Sequence, residues 1–193
     1  MKYIVSKHCG FCSGVKRAVE SAYKNAGENT VTYGELIHNK IVVDKLAEKG
    51  VTAVNDISQC IGKKVIVRSH GAGKDFFDKA SALGIEVIDA TCPFVKKIHD
   101  IVYRHYIDGY HIAIIGKAGH PEVEGTNGWC ENTASIVDDE KAAEALVHFE
   151  RVCFVTQTTY LLEKYLRILK KIRKLPFKTV EIFNTICYTT ISR

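Results

Sequence analysis

Strand-like and helix-like runs alternate along almost the whole of this 193-residue chain, and that order leaves few folds open. The first half reads as strands YIVS (3–6), VTYG (31–34), VTAV (51–54), KVIVRSHG (64–71) and GIEVIDA (84–90). Helices are predicted over 15–25, 40–49 and 75–83, the last two closed by Gly50 and Gly84 as left-handed caps. Thr91 is expected to cap a helix that Pro93 opens and that runs to residue 107. The second half repeats the pattern. HIAIIGKAGHPE (111–122) is a strand running into a loop, and SIVDD and a helix over 140–147 follow. Then come the strand RVCFVTQTT (151–159), an amphipathic helix over 161–175 and the strand KTVEIF (178–183). Such alternation means parallel α/β sheets joined by crossover helices. The expectation is therefore a set of small parallel-sheet α/β units: one over 1–92, a second over 93–184, and the start of a third over 185–193.

Ligands in such sheets bind at the carboxyl ends of the strands. Cys12, His38, His70, Cys92, His120, Glu122, Thr158 and Cys187 all fall at those ends. The three cysteines are 80 and 95 residues apart, whereas zinc ribbons and knuckles use local pairs two to four residues apart. Each thiol would come from its own unit, and the three would converge at a central site. Three thiolates suit a [4Fe–4S] cluster with one iron lacking a protein ligand, since four cysteines are the usual electron-carrier set. An open position admits substrate, as it does in catalytic zinc sites. The pattern is that of an iron–sulfur catalyst. A rival reading takes Cys9 and Cys12 (CGFC) as a dithiol redox pair, but it leaves Cys92 and Cys187 unexplained. Cys60, Cys130 and Cys153 have no matching partners and read as structural, Cys153 as core within VCFV.

Composition narrows the classes further. Seven cysteines behind a start too short and polar for a secretory signal suit a reducing cytosol, so a cytoplasmic location is expected. No apolar run approaches the ~18–20 residues that span a bilayer. A net charge of +5 suits anionic small molecules and is too weak to point to nucleic acid. The basic residues of 161–175 stand opposite Leu162, Leu166, Leu169 and Ile172, and read as the solvated face of a crossover helix.

His38, His70 and His120 sit beside Gly or Asn and can donate hydrogen bonds to phosphate oxygens. The glycine-rich loop at Ser69–Gly73 could add backbone N–H groups. Glu122, in what reads as a short loop after Pro121, is a proton-transfer candidate, while Glu124 and Glu131 read as surface acids. Thr156, Thr158 and Thr159 offer hydroxyls that could relay a proton, or equally a turn or helix cap.

Taken together, GFCSGVKRA, ELIHNKIVVDKL, RSHGAG, DATCPFVKKIH, IGKAGHPEVEGTNG, VTQTT and ICYTT resemble the LytB/IspH family of 4-hydroxy-3-methylbut-2-enyl diphosphate reductases, in the family's order. The resemblance implies a [4Fe–4S] enzyme of the methylerythritol phosphate route. It would remove the C4 hydroxyl of an allylic diphosphate reductively, giving isopentenyl and dimethylallyl diphosphates. It implies Cys12, Cys92 and Cys187 as cluster ligands. His38, Asn39, His70, His120, Thr158 and Thr159 would contact the substrate, and Glu122 with Thr158 and His120 would serve the chemistry. A ferredoxin or flavodoxin-type protein would donate electrons.

Family members continue past the third cysteine with another α/β unit carrying a Ser-x-Asn motif. This sequence stops six residues after Cys187, so the chain is expected to be an amino-terminal piece that is inactive alone. The competing class is a non-catalytic metal- or diphosphate-binding module.

Overall fold

The structure, a computed structural model, describes residue 4 and residues 10–191. Apart from residue 4, the strand predicted over 3–6 lies outside the described residues, as does Cys9. Among the described residues, two four-stranded parallel sheets follow one another. The first contains β1 (Thr30–Tyr33), β2 (Thr52–Val54), β3 (Lys64–Val67) and β4 (Glu86–Asp89), in the order β2-β1-β3-β4. The second contains β5 (His111–Ile115), β6 (Ser135–Val137), β7 (Arg151–Thr156) and β8 (Thr179–Ile182), in the order β6-β5-β7-β8. Every pairing is parallel, as the alternation predicts.

Both faces of the central strands are covered, which is why they read as unbroken apolar runs rather than alternating ones. In β7, Val152 and Phe154 pack on one side with Tyr165, Ile168 and Ile172. Cys153 and Val155 pack on the other side with Ile98 and Val102. In the first sheet, Ile66 meets Ala18, Ala22 and Leu36, while Val65 and Val67 meet Phe76. The covering helices are α1 (Ser13–Lys24), α2 (Lys40–Ala47), α3 (Lys74–Ala82), α4 (Pro93–Ile107), α6 (Glu140–Glu144) and α7 (Leu162–Ile172). Two short ones, α5 (Pro121–Asn127) and α8 (Tyr188–Ile191), stand at strand ends. None of the described helices is long and apolar enough to cross a membrane.

The two sheets are joined by close packing. Trp129 donates its indole N–H to the Ala72 carbonyl at 3.0 Å and stacks on His99 at 5.0 Å. A Cβ on Gly128 would lie 2.5 Å from the Gly73 backbone, so these two loops touch only because both residues are glycine.

Several local expectations are corrected. Glu122 is in the first turn of α5 rather than in a loop: Pro121 fills the first helical position and His120 caps it, although Gly125 and Asn127 make the segment a poor helix former. Thr91 does not cap α4; Cys92 stands at the cap position, and the buried Thr91 hydroxyl has no hydrogen-bond partner among the described residues. The strands predicted over 64–71 and 151–159 stop at Val67 and Thr156, because the polar loops leave the sheet at once, whereas β5 gives way to a loop after Ile115 as expected. The buried stripe of α7 is Tyr165, Ile168 and Ile172, whereas Leu162 and Leu166 are exposed. Its basic face is solvated, with Lys164 and Lys171 paired to Asp138 and Glu144.

Candidate active site

Each sheet reverses its strand order between two central strands, β1 and β3 in one and β5 and β7 in the other. Parallel α/β sheets open a crevice at the carboxyl ends of strands so arranged. His38 follows β1, His70 follows β3, His120 and Glu122 follow β5, and Thr158 follows β7. Cys92 and Cys187 follow β4 and β8. Cys12, Cys92, Cys187, His70, Glu122, Thr158 and Thr159 line one cavity of about 390 Å³.

Cys12 and Cys92 stand at the N-cap positions of α1 and α4. The two helices are tied together by Arg17 of α1, which donates to the Thr91 carbonyl beside Cys92. The Cys92 N–H donates to the Ser69 carbonyl at 3.0 Å, fixing the thiol to the His70 loop. Cys187 is held by its N–H bond to the Thr158 carbonyl at 2.8 Å. Two residues earlier, the Thr185 hydroxyl accepts from Thr156 N–H at 2.8 Å and donates to the Thr156 carbonyl. Burial raises the pKa of the Cys92 thiol, and the neighbouring Cys12 and Cys187 raise it further, against the amides of Phe94 and Val95. A Cβ at position 14 would lie 2.7 Å from the Cys92 sulfur, so Gly14 clears the space in which this thiol stands. All three cavity cysteines are free and partly accessible. Cys60, Cys130 and Cys153 are instead buried, with burial raising Cys130 to about 11 and Cys153 to about 12. Among the described residues, no three His, Cys, Asp or Glu side chains close around a single metal ion. Cys12, Cys92 and Cys187 nonetheless line the same cavity.

The polar wall is equally specific. Glu122 is 2% exposed and Thr158 6%. The Thr158 N–H donates to one Glu122 oxygen and the Thr158 hydroxyl to the other, both at 2.6 Å. Burial raises the Glu122 pKa, and the two Thr158 bonds pull it back in part. A carboxyl in this balance can hold a proton nearer neutrality and pass it on through the hydroxyl.

His70 lies between the other two histidines, its ring 5.2 Å from His38 and 5.5 Å from His120. The His120 Nδ1 accepts from the Glu122 N–H at 3.1 Å, which leaves Nε2 as the N–H donor of the neutral ring. The His70 Nδ1 is buried without a hydrogen-bond partner among the described residues. Asn39 spends its side-chain oxygen capping α2, through Val42 N–H, and does not line the cavity. Gln157 was not anticipated. It accepts from Lys117 N–H and donates to the Thr159 hydroxyl, bridging the loops after β5 and β7.

Burial lowers the pKa of His70 and of His99 from 6.5 to about 4. Between pH 6.5 and 4 the unfolded chain therefore binds more protons at these rings than the folded one, so stability is lost as pH falls through that window. Urea midpoints measured at pH 7 and pH 5 are expected to drop at the lower value; equal midpoints would contradict the assignment.

The family model described as LytB protein matches residues 3–193. The chain is 44% identical over 200 residues to a 4-hydroxy-3-methylbut-2-enyl diphosphate reductase of Thermoanaerobacter sp. (strain X514), covering all of this chain and 69% of the relative. It is 42% identical over 204 residues to the enzyme of that name from Clostridioides difficile (strain 630), again covering all of this chain and 71% of the relative. Among solved structures, the E-1-hydroxy-2-methyl-but-2-enyl-4-diphosphate reductase of Plasmodium falciparum superposes with a TM-score of 0.85 at 30% identity, covering 96% of this chain and 60% of that one. An (E)-4-hydroxy-3-methyl-but-2-enyl diphosphate reductase described as the terminal enzyme of the non-mevalonate pathway gives a TM-score of 0.81 at 38% identity, covering 98% of this chain and 69% of that one. With its whole length matched in sequence and its two sheets matched in space, this chain belongs to the LytB family.

Proposed function

We propose that this chain acts in the reductive dehydroxylation of 4-hydroxy-3-methylbut-2-enyl diphosphate, giving isopentenyl and dimethylallyl diphosphates. The observation that carries the proposal is the sharing of one cavity by three free thiols and the Thr158-clamped Glu122. Cys12, Cys92 and Cys187 would hold a [4Fe–4S] cluster, which supplies electrons singly and a Lewis-acidic iron open to substrate. A ferredoxin or flavodoxin-type protein in the cytoplasm would be the electron source.

The overall change consumes two electrons and two protons and releases water. Glu122, whose pKa burial raises, would pass a proton to the Thr158 oxygen as the Thr158 hydroxyl proton moves to the departing oxygen, so that water leaves instead of hydroxide. His120 has a double task. Its Nδ1 accepts from the amide of Glu122, and its Nε2–H, without a partner among the described residues, would serve the substrate. His38 and His70 complete a three-imidazole rim suited to a diphosphate. Thr159, held by Gln157, borders the same space, and the apolar side chains of Val15, Phe94 and Val95 exclude water from it.

The test is anaerobic incubation of iron- and sulfide-reconstituted protein with the substrate and reduced methyl viologen. It is run on the chain as it stands and on the chain joined to the remaining third of the Thermoanaerobacter relative. The joined chain is expected to form the two five-carbon diphosphates and the chain as it stands is not; their absence from the joined chain would contradict the proposal. His70→Ala is expected to weaken apparent substrate affinity by about 10-fold while iron content stays constant. Unchanged affinity would remove His70 from the diphosphate site.

A further inference from the structure

Gln157, 6% exposed, spends its side-chain amide on joining the loops after β5 and β7. Its backbone is fixed as well: the N–H donates to the Ile115 carbonyl at 2.8 Å, and the carbonyl accepts from Tyr160 N–H at 3.0 Å. A Cβ on Gly116 would lie 3.1 Å from the Gln157 Oε1 and 2.8 Å from Val123, so this glycine leaves the amide its room. The Gln157 oxygen accepts from Lys117 N–H at 3.0 Å. A backbone N–H can only donate, so that bond decides which way the amide is turned. Its NH2 must then face Thr159, and it donates to the Thr159 hydroxyl oxygen at 2.9 Å.

The consequence falls on the hydroxyl. A threonine oxygen that accepts from an NH2 still has its own proton to give. Among the described residues no acceptor takes that proton, and Thr159 lines the cavity shared with His70 and Glu122. The ligand oxygens that only accept are anionic ones, such as those of a phosphate. We propose that Gln157 is a positioning residue for substrate binding: it turns the Thr159 hydroxyl so that its proton is offered to the diphosphate. This rests on the diphosphate reading above. The same amide sets the donor relative to the histidine loop, because the His120 N–H returns to the Lys117 carbonyl at 3.2 Å.

The test is calorimetric titration of inorganic diphosphate into the reconstituted joined chain. Gln157→Glu keeps the side chain's size and the bond from Lys117 N–H. Its second oxygen can only accept, so it draws the Thr159 proton away from the cavity. This variant is expected to bind diphosphate about 10-fold more weakly, and Thr159→Val by a similar factor, while Thr159→Ser stays near the parent. The new carboxylate would also repel the anion directly, so the double variant decides. Gln157→Glu made on top of Thr159→Val is expected to cost no more than about twofold further. A full loss in that background would show charge or packing at work rather than the hydroxyl, and would overturn the proposal. Gln157→Met, which adds no charge, is the second variant; its loss of about 3-fold is also expected to vanish without the Thr159 hydroxyl. If the parent binds diphosphate and either Thr159→Val or both Gln157 variants bind it equally well, the role of Gln157 is wrong and the diphosphate site stands. If the parent itself fails to bind diphosphate, the diphosphate reading falls and Gln157 with it.

Discussion

Replacing Glu122 by Gln is expected to lower turnover by about 10²- to 10⁴-fold, the usual worth of a positioned proton donor, without loss of iron or fold. The amide is close to isosteric: its oxygen accepts from Thr158 N–H as the carboxylate does, and its NH2 can donate to the Thr158 hydroxyl. What disappears is the transferable proton. The pH dependence carries the same signature. Because burial raises the Glu122 pKa, its neutral form persists above the ordinary carboxylate range, and turnover should fall as pH rises through that raised value. The sign for stability follows from linkage. A carboxyl whose folded pKa is raised contributes stability below its unfolded pKa and loses it as pH rises through the folded one. Glu122→Gln should therefore be at least as resistant to urea as the parent at pH 7. A variant retaining full turnover with its metal in place would end the role of Glu122 as proton donor.

Cys92→Ser is expected to abolish cluster retention, and with it all reductive activity. Cys92 is the most constrained of the three thiols: its N–H is tied to Ser69, the preceding carbonyl to Arg17, and its sulfur stands in a space kept open by Gly14. A serine there keeps the helix cap but offers iron a poor ligand. Cys12→Ser and Cys187→Ser should behave alike, whereas Cys153→Ala, which alters a packed core strand, should cost stability and leave iron content intact. Cys9→Ser should also be nearly silent. Full iron in the Cys92 variant, or loss of iron in the Cys9 variant, would move the cluster to other residues.

Much of this was legible because backbone order and site chemistry share a cause. The alternation fixes parallel sheets, parallel sheets put their loops at one end, and the cysteines, His70, Glu122 and Thr158 fall in those loops. What stayed hidden depended on contacts between distant segments. Nothing local pairs Glu122 with Thr158, 36 residues away, or shows that Thr185 braces the Cys187 loop from the end of β7. The short α5 was missed because its glycine and asparagine outweighed the proline at its first position. Asn39 reads as a polar neighbour of His38, yet its oxygen is committed to a helix cap.

The central claim is that three thiols from distant parts of the chain hold one cluster. Iron and acid-labile sulfide, measured on anaerobically reconstituted protein together with its absorption spectrum, test that claim most directly. About four irons and four sulfides per chain are expected, as for a [4Fe–4S] centre. A colourless protein carrying one zinc, or no metal at all, would contradict it.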